Sequence, residues 1–120
     1  MKGAAMPAFD FARFKRAFTE QDVAAWAACF ADDGEWVEYR HRDPPRAPHV
    51  MKGRREIADH LALVRSSDVA LEIEDEVIGL DRAAFRVWVT LRDGRRIVEH
   101  VIIHYAGGRI TRQVDVEAWD

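Results

Sequence analysis

At 120 residues, with 18 Lys and Arg against 21 Asp and Glu, the chain carries a formal net charge of −3 and has the length of one domain with one sizeable core. Its 48% hydrophobic and 32% charged residues are the balance of an ordinary globular protein. Acids and bases are interspersed, so nucleic acid and anionic membrane are not expected partners, and no segment approaches the roughly 18 apolar residues of a membrane span. The N-terminal MKGAAMPAFDF has no adequate apolar run and does not read as a signal peptide, which makes the cytoplasm the expected compartment. The single Cys29 suits a reducing compartment and reads as a buried, inert thiol.

Phe11, Phe14 and Phe18 recur at helical spacing and predict an amphipathic helix over roughly 8–18. Thr19, followed by Glu20-Gln21-Asp22, suits an N-cap for a second helix carrying Val23, Trp26, Ala27 and Phe30 inward. Asp32-Asp33-Gly34 is its expected end, with Gly34 as C-terminal cap. Glu35 to Arg40 reads as a strand with Trp36, Glu38 and Arg40 on one face. The prolines between His41 and Val50 predict a loop. A third helix over about 54–65 turns Ile57, Leu61 and Val64 inward; His60, near that stripe, reads as structural.

Strands follow. Leu71, Ile73 and Val77 share one parity, and Phe85, Val87, Val89 and Leu91 another run. Asp93-Gly94 and Gly107-Gly108 both suit two-residue hairpin turns. Two such turns would pair Val87 with His100 and His100 with Asp115. Phe85, Val87, His100, Ile102, His104, Gln113, Asp115 and Glu117 would then share a face. Lengthening one loop by a residue would bring in Glu99, Val101 and Ile103 instead, because a one-residue slip reverses every side chain. The opposite face, expected to show Trp88, Ile97, Val101, Ile103, Tyr105, Val114 and Val116, is too apolar for water, and a homodimer through it is the economical expectation. Helices first, then a strand meander, predict an α+β fold in one domain spanning 1–120.

FADDGEWVEY after a helix, MKGRREIADHL closing the proline loop and GGRITRQVDVEAWD at the end resemble the SnoaL-like branch of the nuclear transport factor 2-like superfamily. The resemblance covers essentially the whole chain. It implies a cone-shaped, strongly curved antiparallel sheet, with three helices from the N-terminal half closing a deep pocket. Among its members are ketosteroid isomerases, polyketide cyclases, dehydratases, epoxide hydrolases and pure binding modules. Glu38 falls where the isomerases carry a general-base aspartate, and His100 where they carry a protonated aspartate. Phe14 lies about where their hydrogen-bonding tyrosine would be and has no hydroxyl. SnoaL-type cyclases use a histidine and an acid from the closing strands, which His100 and Asp115 match. The epoxide hydrolases' arginine has no counterpart, since Arg112 is expected to point away.

Proton transfer at a carbon acid needs a base near neutrality and a group that stabilises the oxyanion. His100 and Asp115 are therefore the expected acid–base pair, with Glu38 opposite as a further catalytic carboxyl. Trp36, Gln113, Glu117, His104, Phe85, Val87, Ile102, Phe14 and Trp26 are the expected pocket residues. No metal site is expected, because His100 and His104 on one strand stand two side-chain steps apart. The function expected is a cofactor-independent cyclase-, isomerase- or hydratase-like enzyme acting on a small apolar carbonyl compound. A non-catalytic ligand-binding or dimeric interaction module is the alternative.

Overall fold

A computed structural model describes residues 8–120; the N-terminal segment bearing on a leader lies largely outside them. Helix α1 (Phe11–Glu20) begins where the Asp10 carboxylate accepts from Arg13 N at 3.0 Å, and ends at Gln21 in the left-handed region. Helix α2 (Val23–Ala28) is capped by Asp22, which accepts from Ala25 N at 3.2 Å. Thr19 is not that cap: it lies inside α1, and its hydroxyl donates to Lys15 O.

Strand β1 (Phe30–Tyr39) starts earlier than the sequence suggests. Asp32-Asp33-Gly34 ends no helix; it lies in an irregularity within β1, between the pairs Phe30–Ile110 and Glu35–Arg112. Gly34 is required there for close approach rather than as a cap. A Cβ at this position would stand 3.1 Å from both Ala31 O and Ile110 O. The expected loop ends in a further strand, β2 (His49–Lys52), which sets His49 opposite Glu38. Helix α3 (Gly53–Ser66) follows, with Ile57 and Leu61 fully buried.

The remaining strands are β3 (Ala70–Ile78), β4 (Arg82–Thr90), β5 (Arg96–Ala106) and β6 (Arg109–Trp119). They form one unclosed sheet in the order β2-β1-β6-β5-β4-β3, antiparallel except at β1–β6. Irregularities in β1, β3 and β6 bend it, as extra residues on one strand do. The helices cover the inner face. Phe11, Phe14 and Phe18 meet Phe85 with ring centroids 5.6, 5.8 and 6.4 Å apart, filling that part of the interior with rings.

The β4–β5 register differs from expectation by one residue. Leu91 N donates to Arg95 O, so Arg92, Asp93 and Gly94 form a three-residue loop. Gly94 has φ +89°, the left-handed residue that such a loop requires. Val87 therefore faces Glu99 and Val89 faces Ile97. Gly107-Gly108 does form the expected two-residue turn, both glycines at positive φ, joining Ala106 to Arg109. A bulge follows at once: Tyr105 pairs with Ile110 but His104 with Arg112, leaving Thr111 as the extra residue. The bulge offsets the longer first loop, so Gln113, Asp115 and Glu117 still face inward, now beside Ile103, Val101 and Glu99.

Replacing Gly34 by Ala forces a methyl against two backbone oxygens that cannot rotate away. The Gly34→Ala variant is expected to lose about 1–3 kcal/mol in urea unfolding; an unchanged midpoint contradicts the close-approach account.

Candidate functional site

Between the helices and the inner sheet face lies a cavity of about 330 Å³. Phe18, Trp26, Val64, Leu71, Val89 and Ile97 make much of its wall apolar, while Trp36, Glu38, His60, Glu99 and Glu117 bring polar chemistry to it. Arg40, Arg42 and Trp119 also line it; Arg40 is tied to Asp43.

Glu38 projects inward from β1 and is 7% exposed. Its Oε2 lies 3.1 Å from Nδ1 of His49, its cross-strand partner. Its Oε1 lies 3.5 Å from Nε2 of His60 on α3. The two imidazoles thus bracket one carboxylate, and the His60 ring stands edge-on to Trp36 at 4.9 Å. Burial pushes the Glu38 carboxyl up, but hydrogen bonds and positive charge from His60 and His49 together outweigh it and hold the group below the usual glutamate range.

Three further carboxyls come from β5 and β6. Asp115 is 1% exposed; Trp36 Nε1 donates to its Oδ2 at 2.7 Å and Gln113 Nε2 to its Oδ1 at 3.1 Å. Burial and the repulsion of Glu38 nevertheless push Asp115 well up, against the pull of those two donors. Gln113 Oε1 is buried with no partner among the described residues. Exchanging the two ends of that amide lets a neutral Asp115 donate its O–H to this oxygen. Glu99 lies across the register from Glu117, within hydrogen-bonding reach. Burial pushes it well up, reinforced by repulsion from Asp115, Glu117 and Glu38. Glu117 also accepts from Trp119 Nε1 at 2.9 Å, and His41 lies over the Trp119 ring at 4.2 Å. The site thus holds one carboxyl tuned toward ionisation and two tuned toward protonation, a division of acid and base by environment alone.

Of the expected site residues, the structure brings Trp36, Glu38, Gln113, Asp115 and Glu117 together, with Trp26 on the cavity wall. His100 is not among them. It projects from the opposite face, exposed, beside Arg86, because the three-residue loop reverses the parity of β5. For the same reason His104 points away and Ile102 is 45% exposed. Ile97, Val101, Ile103 and Tyr105, expected outside, are buried within. Phe85 and Val87 do face inward but belong, with Phe14, to the packed core rather than the cavity wall. Sequence reasoning assigns no site role to Glu99, His49 or His60. Glu99 is legible as the alternative register, His60 only as an inward-leaning helix residue, and His49 sits in a segment that reads as loop. No group of three or more His, Cys, Asp or Glu among the described residues is arranged to hold a metal ion.

A family model described as the SnoaL-like domain matches residues 11–113. No curated protein sequence matches the chain. Solved structures similar to it include a nuclear transport factor 2-like protein of unknown function from Mesorhizobium loti (TM-score 0.78, 18% identity, covering 90% of this chain and 87% of that one). A Kribbella flavida protein provisionally described as a ketosteroid isomerase superposes with TM-score 0.70 at 22% identity, over 92% of this chain and 74% of that one. A Sinorhizobium meliloti protein provisionally described as a polyketide cyclase gives 0.67 at 20% identity, over 86% and 89%. These likenesses establish the cone-like fold.

The raised carboxyls make stability depend on pH with a definite sign. Folded Glu99 and Asp115 retain protons that the unfolded chain releases above its ordinary carboxyl range near 4. Their contribution is complete below that range and is lost as pH rises through the raised folded values. Glu38 has the opposite sign and loses its contribution only on acidification. Wild type should therefore lose stability as pH rises above the ordinary carboxyl range near 4, by at most about 1.4 kcal/mol per pH unit for each retained proton. Asp115→Asn should flatten that slope in thermal unfolding. Equal slopes contradict a neutral Asp115.

Proposed function

Because the chain belongs to the SnoaL-like domain family, we propose that its cavity carries out cofactor-independent acid–base chemistry of the isomerase or cyclase type on a small apolar carbonyl compound. The observation that carries the proposal is the opposed tuning of Glu38 and Glu99 on one cavity wall. Glu38, ionised and bracketed by His49 and His60, takes a proton from the carbon beside the substrate carbonyl. The C–H bond breaks, its electron pair moves toward oxygen, and an O–H bond forms on Glu38. Glu99, held protonated, donates its O–H to the enolate oxygen as charge develops there. Returning the Glu38 proton to a different carbon completes an isomerisation; alternatively the enolate carbon attacks a second carbonyl, whose π pair moves to its oxygen, and that alkoxide takes the Glu38 proton as the ring closes. Asp115 and Gln113 act behind the wall, where the bond from Trp36 to Asp115 fixes the indole beside Glu38. Support for Glu99 as the acid comes from its parity on β5, which sets it opposite Glu117 on the cavity wall while His100 faces outward.

The same reading includes a homodimer through the outer sheet face. Val77, Ile102 and Val116 are 71%, 45% and 56% exposed there, around a shallow groove that Ala84 and Val114 also line. Arg86 pairs with Glu74 and Asp75 at its rim, so an isologous dimer would set the same apolar patch, with its charges already neutralised, against itself. Ile102→Glu paired with Val116→Glu should convert a dimer to a monomer by light scattering. A monomeric wild type contradicts the dimer.

Deuterium uptake from heavy water into the carbon next to the carbonyl, followed by NMR over a panel of cyclic ketones and enones, tests the chemistry before the natural substrate is identified. Glu38→Gln should slow uptake by about 100- to 10,000-fold. Glu99→Ala should slow it about 100- to 1,000-fold, and His100→Ala should leave it unchanged. Uptake indifferent to Glu38 contradicts the assignment; binding without uptake supports the non-catalytic module instead.

A further inference from the structure

Two arginines line the same cavity as the acids, and both follow Glu38 closely on the chain. Arg40 stands two residues beyond Glu38, just past the end of β1, and Arg42 lies two residues further. On an extended chain two residues set the Cα atoms of Glu38 and Arg40 about 6–7 Å apart. Exposure rises along this line, from Trp36 at 4% and Glu38 at 7% to half-buried Arg40 and exposed Arg42. The arginines therefore stand where the cavity opens. The Arg40 guanidinium is held in place: its Nε donates to Asp43 Oδ2 at 2.5 Å, and Asp43 N donates to Arg40 O at 3.1 Å, closing a turn. That bond uses one nitrogen and leaves both terminal Nη groups without a partner among the described residues. Arg42 makes no ion pair among them, and residues 1–7 contain no Asp or Glu to supply one. Its charge bears on Asp43 as well, so one carboxylate serves two guanidinium groups. Glu117, on the same wall, has its own partners in Trp119 Nε1 at 2.9 Å and His41 Nδ1 at 3.7 Å. A lone exposed arginine is ordinarily a solvated one, and Arg40 with Asp43 alone fastens a turn. Neither reading accounts for two guanidinium groups lining one cavity with a single carboxylate between them.

We propose that Arg40 and Arg42 form an anion subsite at the cavity mouth, which takes a carboxylate carried by the carbonyl substrate. This rests on the acid–base reading of the cavity and narrows its substrate class from a neutral ketone to an oxo acid. A planar carboxylate matches the fork of a guanidinium, and a hydrogen bond between charged partners is about twice as strong as a neutral one. The interior does not oppose such a ligand. The charge of Glu38 is bracketed by His49 and His60, and burial keeps protons on Glu99 and Asp115. The spacing along the chain also sets the substrate's dimensions. With the reacting carbon at Glu38 and the carboxylate at the arginines, roughly five bonds separate the two. The body between them is apolar, as the Leu71, Val89 and Ile97 wall requires.

The test uses the full chain near pH 7, where a free carboxyl is ionised, with two probes of one skeleton. They are 3-(4-oxocyclohexyl)propanoate and its neutral propanamide, whose side chain spans the required distance from the carbon beside the carbonyl. Titration calorimetry should show the propanoate binding about 10- to 100-fold tighter than the propanamide, the worth of a charge-assisted contact. Arg42→Gln and Arg40→Gln should each cut that ratio by about 3- to 10-fold. Arg46→Gln removes an equal charge from the same loop but away from the cavity lining, and should leave the ratio as it is. Arg42 is exposed, so its variant keeps the fold and stays informative even if Arg40→Gln, which also frees Asp43, does not. Several results overturn the proposal. One is equal binding of the two probes, including binding of neither. Another is a ratio indifferent to Arg42→Gln. A third is a ratio that Arg46→Gln lowers as much as Arg42→Gln, the mark of diffuse surface charge. Deuterium uptake into the ring carbon beside the carbonyl, read in the same samples, separates the two levels. Uptake into both probes without a propanoate preference removes the subsite and leaves the acid–base chemistry; an Arg42-dependent preference without uptake does the reverse.

Discussion

The side-chain parity of β5 is the constraint on which the site depends. One extra residue in the loop before this strand and one bulged residue in the strand after it, Thr111, decide which half of β5 meets the interior. With a two-residue first loop, an imidazole would have faced Asp115 across the cavity. With the three-residue loop, Val101 stands opposite Asp115 and Glu99 opposite Glu117, and His100 is left on the outer face. A β-strand has no intermediate setting, because its side chains alternate strictly. The chemistry of the pocket therefore follows from the backbone conformation of Gly94 and from a single unpaired threonine, neither of which touches it.

Once that parity is set, electrostatics fixes the rest. Glu38, Glu99, Asp115 and Glu117 converge on one interior. Four carboxylates in a medium of low polarity cannot all be ionised, since each charge raises the cost of the next. The two imidazoles choose which is ionised. His49 arrives on β2 and His60 on α3, and both reach Glu38 rather than the β5–β6 acids. Charge is thereby concentrated at the β1 side and protons at the β5 and β6 side. In the proposed chemistry, a carbonyl compound between them would meet a base at its carbon and an acid at its oxygen.

Much of the fold is legible from the sequence. The phenylalanine spacing of α1, the apolar stripe of α3 and the alternation of β4 all match the elements that form. The Gly107-Gly108 turn also has the predicted form, because two consecutive positive-φ residues leave little else for it to be. The site is legible only in part. Trp36 and Glu38 follow from the β1 alternation, but β5 is apolar at both parities, with Ile97, Val101 and Ile103 on one side and Val98 and Ile102 on the other. Hydrophobic pattern cannot choose between them, and Asp-Gly suits a two-residue loop and a three-residue loop alike. A bulge such as Thr111 leaves no mark in composition. His49 is hidden by the prolines around it, since pairing with β1 begins just after Pro48.

Whether a base and an acid are held apart by environment within one cavity can be measured on the carboxyl carbons themselves. With ¹³C-labelled glutamate, the side-chain carboxyl resonances of Glu38 and Glu99 can be followed through a pH titration, each identified by its Gln variant. The account predicts that Glu38 titrates below the ordinary glutamate range near 4.5 and that Glu99 stays protonated well above it. Two carboxyls titrating together in the ordinary range, or in the reverse order, would contradict the division of roles on which the mechanism stands.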